Sequence, residues 1–185
     1  MKKVNLLFSL LAISLLMASC EKEEPEIPNE EELITTLNYT LTPDGTASVV
    51  TLSFQDLDGD GAEEPIITGG ELVANTTYTG AMELLNESES PVESITDEIR
   101  EEDDEHQFFF QSTVDGLSVA YNDMDDDGNP LGLATTLTTG AAGSGSLTVI
   151  LRHEPVKSAD GVAEGDITNA DGETDIEVVF PIEVK

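Results

Sequence analysis

Two short stretches carry carboxylates at a spacing that suits a hard cation. Asp56-Leu57-Asp58-Gly59-Asp60-Gly61 and Asp123-Met124-Asp125-Asp126-Asp127-Gly128 both follow the pattern Asp-x-Asp-x-Asp-Gly. Alternate carboxylates on a turning loop converge on calcium, and the glycine permits the sharp bend. Asp56, Asp58 and Asp60 in the first loop, and Asp123, Asp125 and Asp127 in the second, are therefore candidate calcium ligands. An EF-hand loop closes with a bidentate glutamate at its twelfth position; here that position holds Ile67 and Ala134. Neither loop is an EF-hand, and Glu63, Glu64 or a distant loop has to complete the first site. Residues 166–175, with Asn169, Asp171 and Gly172, make a looser third acidic loop. The competing reading is that Asp and Gly are ordinary turn residues, and 39 acids in one chain make such matches common by chance.

The chain's two histidines suggest different chemistry. His106 shares a strand face with Phe108 and Phe110, and His153 shares one with Leu147, Val149 and Leu151. Imidazole with carboxylate suits zinc or iron, so His106 and His153, joined by Asp104, Glu105 or Glu154, form a candidate transition-metal site. Against this, neither histidine has a second ligand at a diagnostic spacing, and a histidine on an apolar face is usually a packed side chain. No catalytic set stands out. Ser144-Gly145-Ser146 lacks the flanks of a nucleophile elbow. Acid pairs such as Asp103 and Asp104 carry no weight among so many acids, and there is no Trp to form a saccharide platform. The expectation is a protein that is not an enzyme.

The elements that must position these residues are strands. Leu33, Leu37, Tyr39 and Leu41 alternate with polar residues, and Val50, Leu52 and Phe54 do the same after the turn Pro43-Asp44-Gly45, which reads as a hairpin. A loop is expected over 56–70. Further strands are expected over 77–85, 106–111, 117–121, 133–138 and 146–153, with a small-residue loop over 140–145. Ile176, Val178, Phe180, Ile182 and Val184 give the cleanest alternation, and Pro181 on the opposite face suggests a sheet edge. One short helix is expected within 94–105, where Ser94 and Asp97 form a weakened capping box and Ile95 and Ile99 lie one turn apart. Short strands, frequent turns and almost no helix predict an all-β, antiparallel β-sandwich of the immunoglobulin-like or transthyretin-like kind, with about seven or eight strands.

The N-terminus points to a compartment. Met1-Lys2-Lys3 leads into an apolar run that ends in Met17-Ala18-Ser19-Cys20. This is the order of a signal peptide, and it is too short before the acids for a stable membrane span, which takes ~20 apolar residues. Ala18-Ser19-Cys20 resembles the lipobox of bacterial lipoproteins, and Cys20 is the only cysteine. The expected organisation is a signal peptide over 1–19, lipidated Cys20 with an acidic tether over 20–32, and a single β-sandwich domain over 33–185. Two prolines and a block of like charge make the tether extended and self-repelling. Glu21-Lys22-Glu23-Glu24 resembles the export signal of surface lipoproteins. The expectation is thus an outer-membrane lipid anchor with the domain facing the cell exterior; the alternative is the periplasmic face.

Without the signal, 166 residues remain and the formal charge moves from −32 to −34 as Lys2 and Lys3 leave. That charge excludes nucleic acid and anionic lipid headgroups as partners, since both need a basic face. It favours solubility, cations or a cationic partner. The membrane is then met through the lipid alone, and the partner is an envelope protein or an extracellular ligand. The Asn-x-Ser/Thr sequons at Asn38, Asn75 and Asn86 are incidental in a bacterial lipoprotein.

Four stretches together resemble a family of small acidic bacterial lipoproteins of unknown function: Thr68-Gly69-Gly70-Glu71-Leu72 running on through Asn75-Thr76-Thr77-Tyr78-Thr79-Gly80 to Leu84-Leu85-Asn86-Glu87; Glu105-His106-Gln107-Phe108-Phe109; Leu151-Arg152-His153-Glu154-Pro155-Val156-Lys157; and Gly172-Glu173-Thr174-Asp175-Ile176-Glu177-Val178. The resemblance covers most of 33–185. Members are sometimes labelled as a type 1 periplasmic binding fold, which implies two lobes of alternating strands and helices; the periodicity of this chain opposes that architecture. The functional expectation is a lipid-anchored, non-catalytic binding or structural module. A calcium-binding or transition-metal-capturing lipoprotein is the alternative, and a periplasmic solute-binding protein comes last. Replacing Cys20→Ser is expected to abolish incorporation of radiolabelled palmitate and to move the protein from the membrane to the soluble fraction. Labelling that survives the replacement rules out the anchor.

Overall fold

Strands in this chain bury one face because apolar residues recur every second position, and two such sheets close their apolar faces on each other. The computed structural model describes residues 33–58, 61, 63–88 and 90–185. Cys20, the signal and the tether lie outside the described residues, as do Gly59 and Asp60 of the first acidic loop. Among the described residues there are ten strands: β1 (Thr36–Pro43), β2 (Val50–Gln55), β3 (Ile66–Thr68), β4 (Gly70–Leu72), β5 (Thr77–Leu85), β6 (His106–Ser112), β7 (Ser118–Tyr121), β8 (Ala134–Thr138), β9 (Gly143–His153) and β10 (Glu173–Val184). One α-helix, α1 (Ile95–Glu101), and two 3-10 turns, Val162–Glu164 and Ile167–Asn169, complete the set.

One sheet has the order β3-β2-β1-β5-β8-β7 and the other β4-β10-β9-β6. Every pairing is antiparallel except β4 with β10. The architecture is the expected all-β sandwich with a single short helix, not a barrel, and no βαβ unit occurs among the described residues. Leu37, Tyr39, Leu41, Tyr78 and Leu84 of the larger sheet share one core with Phe108, Leu147, Val149, Leu151 and Phe180 of the smaller. No helix among the described residues is long and apolar enough to cross a membrane.

Several details differ from the sequence reading, among them the expected loop over 140–145, whose residues 143–145 open β9 and pair with β10. The expected loop over 56–70 contains β3, whose three residues are all exposed, and runs into β4. Strands this short have no alternation to read, which is why the count is ten instead of seven or eight. The capping box at α1 does not form: Ser94 makes no side-chain cap bond, and the Asp97 carboxylate pairs with Arg100. Pro181 lies in an inner strand, β10. Its cross-strand partner Ser146 turns its own N–H and C=O toward Thr113, away from β10. The Pro181 nitrogen therefore faces the β4 side, where pairing begins only at Ile182. The missing N–H leaves no ladder bond broken, so the strand is locally an edge at that residue.

A second, smaller core lies on the outer face of the four-stranded sheet. Residues 154–172 cross that face and cover Phe109 and Ile150 with Val162 and Ala170. The strap is tied by a bond from Val156 N–H to the Ala170 carbonyl and by the Gln107 amide donating to the Val162 carbonyl.

Gly80 in β5 allows the closest approach in the main core. A Cβ there would lie 2.3 Å from Thr135 Oγ1 and 2.6 Å from Tyr39 Cε2. The Tyr39 hydroxyl and Thr135 Oγ1 share a buried hydrogen bond of 2.7 Å, and burial pushes the Tyr39 phenol well above its ordinary pKa despite that bond. Gly80→Ala must displace this pair and is expected to lower the unfolding free energy by about 1–3 kcal/mol in urea melts, the usual effect of overpacking a core.

Candidate functional site

β6 and β9 pair so that His106 stands directly opposite His153. Both are the outermost inward residues of their strands, beyond Phe108 and Leu151, so the pair caps one end of the apolar core. Their rings stack with centroids 4.7 Å apart and planes inclined by 29°. On the other side of β9, β10 carries a bulge: Thr174 pairs with Arg152 and Ile176 with Leu151, which leaves Asp175 as the extra residue. A bulge re-aims the side chain it carries. Strict alternation from the buried Ile176 would send Asp175 to the outer face; its carboxylate is instead 1% exposed and beside both imidazoles.

The distances are short throughout. His106 Nε2 is 4.0 Å from Asp175 Oδ2, and His153 Nδ1 is 3.6 Å from Asp175 Oδ1. His153 Nε2 is 3.7 Å from Glu105 Oε2. Each of two triplets, His106–His153–Asp175 and Glu105–His153–Glu154, offers ligand-type atoms within 4.8 Å of one another. The first is buried and the second largely exposed, with His153 common to both. His106 Nδ1 donates to the Glu102 carbonyl over 3.0 Å, the residue following α1. A carbonyl can only accept, so the proton sits on Nδ1 and the Nε2 lone pair faces the cluster. Burial lowers the His106 pKa most, the Glu102 bond opposes it, and the adjacent His153 ring lowers it further. Two imidazoles and one carboxylate make a donor set for a borderline divalent cation.

The sequence reading placed His106 and His153 in one site with Glu105 or Glu154, and the fold brings these four together. Asp104 joins neither triplet. Asp175 was not singled out as a ligand, because it falls inside the acidic stretch 166–175 with nothing to distinguish it. Its phase gives no signal either: it matches the outward residues Glu177 and Val179, and only the bulge turns it inward. Elsewhere in that stretch, the Asp166 carboxylate accepts from Thr168 N–H and caps a 3-10 turn.

The two Asp-x-Asp-x-Asp-Gly loops are arranged differently. In the second, Asp123 accepts from the backbone N–H groups of Gly132 and Ala134, both at 2.8 Å. Asp125 Oδ1 accepts from the backbone of Asp127 and Asn129, and Oδ2 lies 3.0 Å from the Lys157 ammonium. Asp127 is exposed. Gly128 supplies the left-handed bend that its type suggested, with φ of 86°, but a lysine from the strap stands where a cation would sit beside Asp125. In the first loop, Asp56, Asp58, Glu63 and Glu64 line one pocket of about 180 Å³; Asp60 lies outside the described residues. Among the described residues, neither loop supplies a triplet of ligand-type atoms as close as those around His153.

No family model, no characterised protein and no solved structure matches this chain.

Lys157 and Asp125 are both buried, with side chains 5% and 1% exposed, and the ammonium also donates to the Asp103 carbonyl. Burial alone would raise the Asp125 pKa; the Asn129 backbone, Lys157 and the Asn129 amide outweigh it and hold the carboxyl below the ordinary aspartate range. Its contribution to stability is therefore complete above the ordinary aspartate pKa and is lost as pH falls through the lower folded value. Lys157→Met leaves a buried charge unpaired and is expected to destabilise by about 3–5 kcal/mol at neutral pH. Urea midpoints measured from pH 7 to pH 3 should show the gap to the wild type narrowing in acid, because protonation of Asp125 costs the wild type its ion pair but relieves the variant of its unpaired charge.

Proposed function

We propose that this chain is a lipid-anchored cell-envelope protein that binds one divalent transition-metal ion, zinc being the type that fits best, at His106, His153 and Asp175. The role is non-catalytic: binding and holding the ion. The observation that carries this reading is the convergence of two buried imidazoles and a buried carboxylate, with His106 oriented by the Glu102 carbonyl. Metal-ligating histidines generally donate their second ring N–H to a carbonyl or carboxylate, which fixes the tautomer. Tetrahedral zinc with ligand bonds of 2.0–2.1 Å places neighbouring ligand atoms ~3.3 Å apart. The observed 3.6 Å and 4.0 Å need contractions of about 0.3 and 0.7 Å to reach it. Calcium, which takes six to eight oxygens, does not suit this donor set.

Further support comes from the charge of the chain. Strong acidity raises the local concentration of cations, and the tether and Cys20 account for display at the envelope, on its outer or its periplasmic face.

Calcium in the first acidic loop is a second reading, favoured by the four carboxylates that line its pocket. Thermal melts distinguish the two. After chelator treatment, zinc at 100 times its dissociation constant is expected to stabilise by ~2.7 kcal/mol, which raises the midpoint by about 5–10 °C for a domain of this size. The shift should vanish in H106A/H153A and shrink in D175N. A shift with calcium alone, unchanged in H106A/H153A, favours the loop; no response to zinc rules out the histidine site.

A further inference from the structure

The buried triplet raises the question of how an ion reaches it. The side chains of His106 and Asp175 are 0% and 1% exposed and that of His153 is 7%, whereas that of Glu105 is 47% exposed. The solvent side of His153 is thus lined by carboxylate. Glu154 completes this outer side: its backbone N–H donates to the Glu105 carbonyl, and its left-handed φ of 49° turns the chain directly after His153. Two acids held side by side at the ends of paired strands repel each other, and a cation between them removes that repulsion. His153 directs Nδ1 to Asp175 and Nε2 to Glu105, so one ring serves both triplets.

We propose that Glu105, His153 and Glu154 form an entry site that captures a divalent transition-metal ion from solvent and passes it through His153 to the buried His106–His153–Asp175 site. The inference rests on the metal-binding reading above and names the route that reading requires. A neutral imidazole has a single lone pair, so His153 holds an ion on one side at a time. Nε2, beside Glu105, is the ligand in the outer state, and Nδ1, beside Asp175, is the ligand in the inner state. One ion is held per chain, not two. Glu105 and Glu154, both exposed, draw cations toward the outer side of the ring.

The test compares zinc uptake by the lipidated protein in detergent, freed of metal by chelator, with that of E105Q/E154Q and of each single variant. Uptake is followed by stopped-flow competition with a zinc indicator, and stoichiometry by elemental analysis. The double variant is expected to hold one zinc at equilibrium yet load roughly tenfold more slowly at low salt, within the range attributed to electrostatic steering. Its loading should also depend less on ionic strength, and each single variant should show part of the effect. Unchanged loading in all three variants, or two zinc ions per wild-type chain, overturns the entry route while leaving the buried site standing. Failure of the wild type to take up zinc, or uptake unaffected by H106A/H153A, removes the buried site and the route with it.

Discussion

The register of β9 between β6 and β10 is the constraint on which the rest of this molecule depends. β9 spans Gly143–His153 and pairs along its length with β10 on one side and with β6 on the other. A slip of one residue would send every core side chain of the strand to the opposite face. In the observed register Leu147, Val149 and Leu151 point into the core and His153 ends the same row. His106 is brought opposite it by β6, and the bulge in β10 sets Asp175 beside both. Core and candidate site are therefore products of one set of ladder bonds, and the site is as rigid as the sheet that carries it.

The acidic burden of the chain is handled by position. Among the described residues the acids stand mostly on outer faces and loops. The buried carboxylate of Asp125 is compensated by the Lys157 ammonium. This follows from the high free energy of an isolated charge in a low dielectric. Lys157 starts the strap that returns over Phe109 and Ile150 and ends just before the bulge, so the buried ion pair and the candidate metal site hold neighbouring parts of one segment.

In the second of the two calcium-like loops the spacing serves the geometry of the turn. Asp-x-Asp-x-Asp-Gly is a good turn because aspartate side chains accept from backbone N–H groups two to four residues on. In the second loop Asp125 does this with Asp127 and Asn129, and Asp123 secures the start of β8. The same oxygens are then directed at the chain itself. The histidines show the reverse: they have no spacing signal, yet they meet.

Most of the architecture was legible from residue order. Alternation of apolar side chains is a local property, so β1, β2, β5, β6, β9 and β10 could be read directly, and with them the all-β class, the short helix and the inward direction of His106 and His153. The short strands β3 and β4 were not legible, since their pairing depends on neighbours distant in the chain. Nor was the tolerance of Pro181 inside a sheet, which depends on where β4 begins. At the site, sequence alone determined which face each histidine occupies. Only the tertiary structure decided that the two face each other, that a bulge turns Asp175 toward them, and that Lys157 lies against Asp125. Periodicity specifies the face of a strand, whereas cross-strand register and bulges arise from pairing between segments tens of residues apart, and no local pattern encodes them.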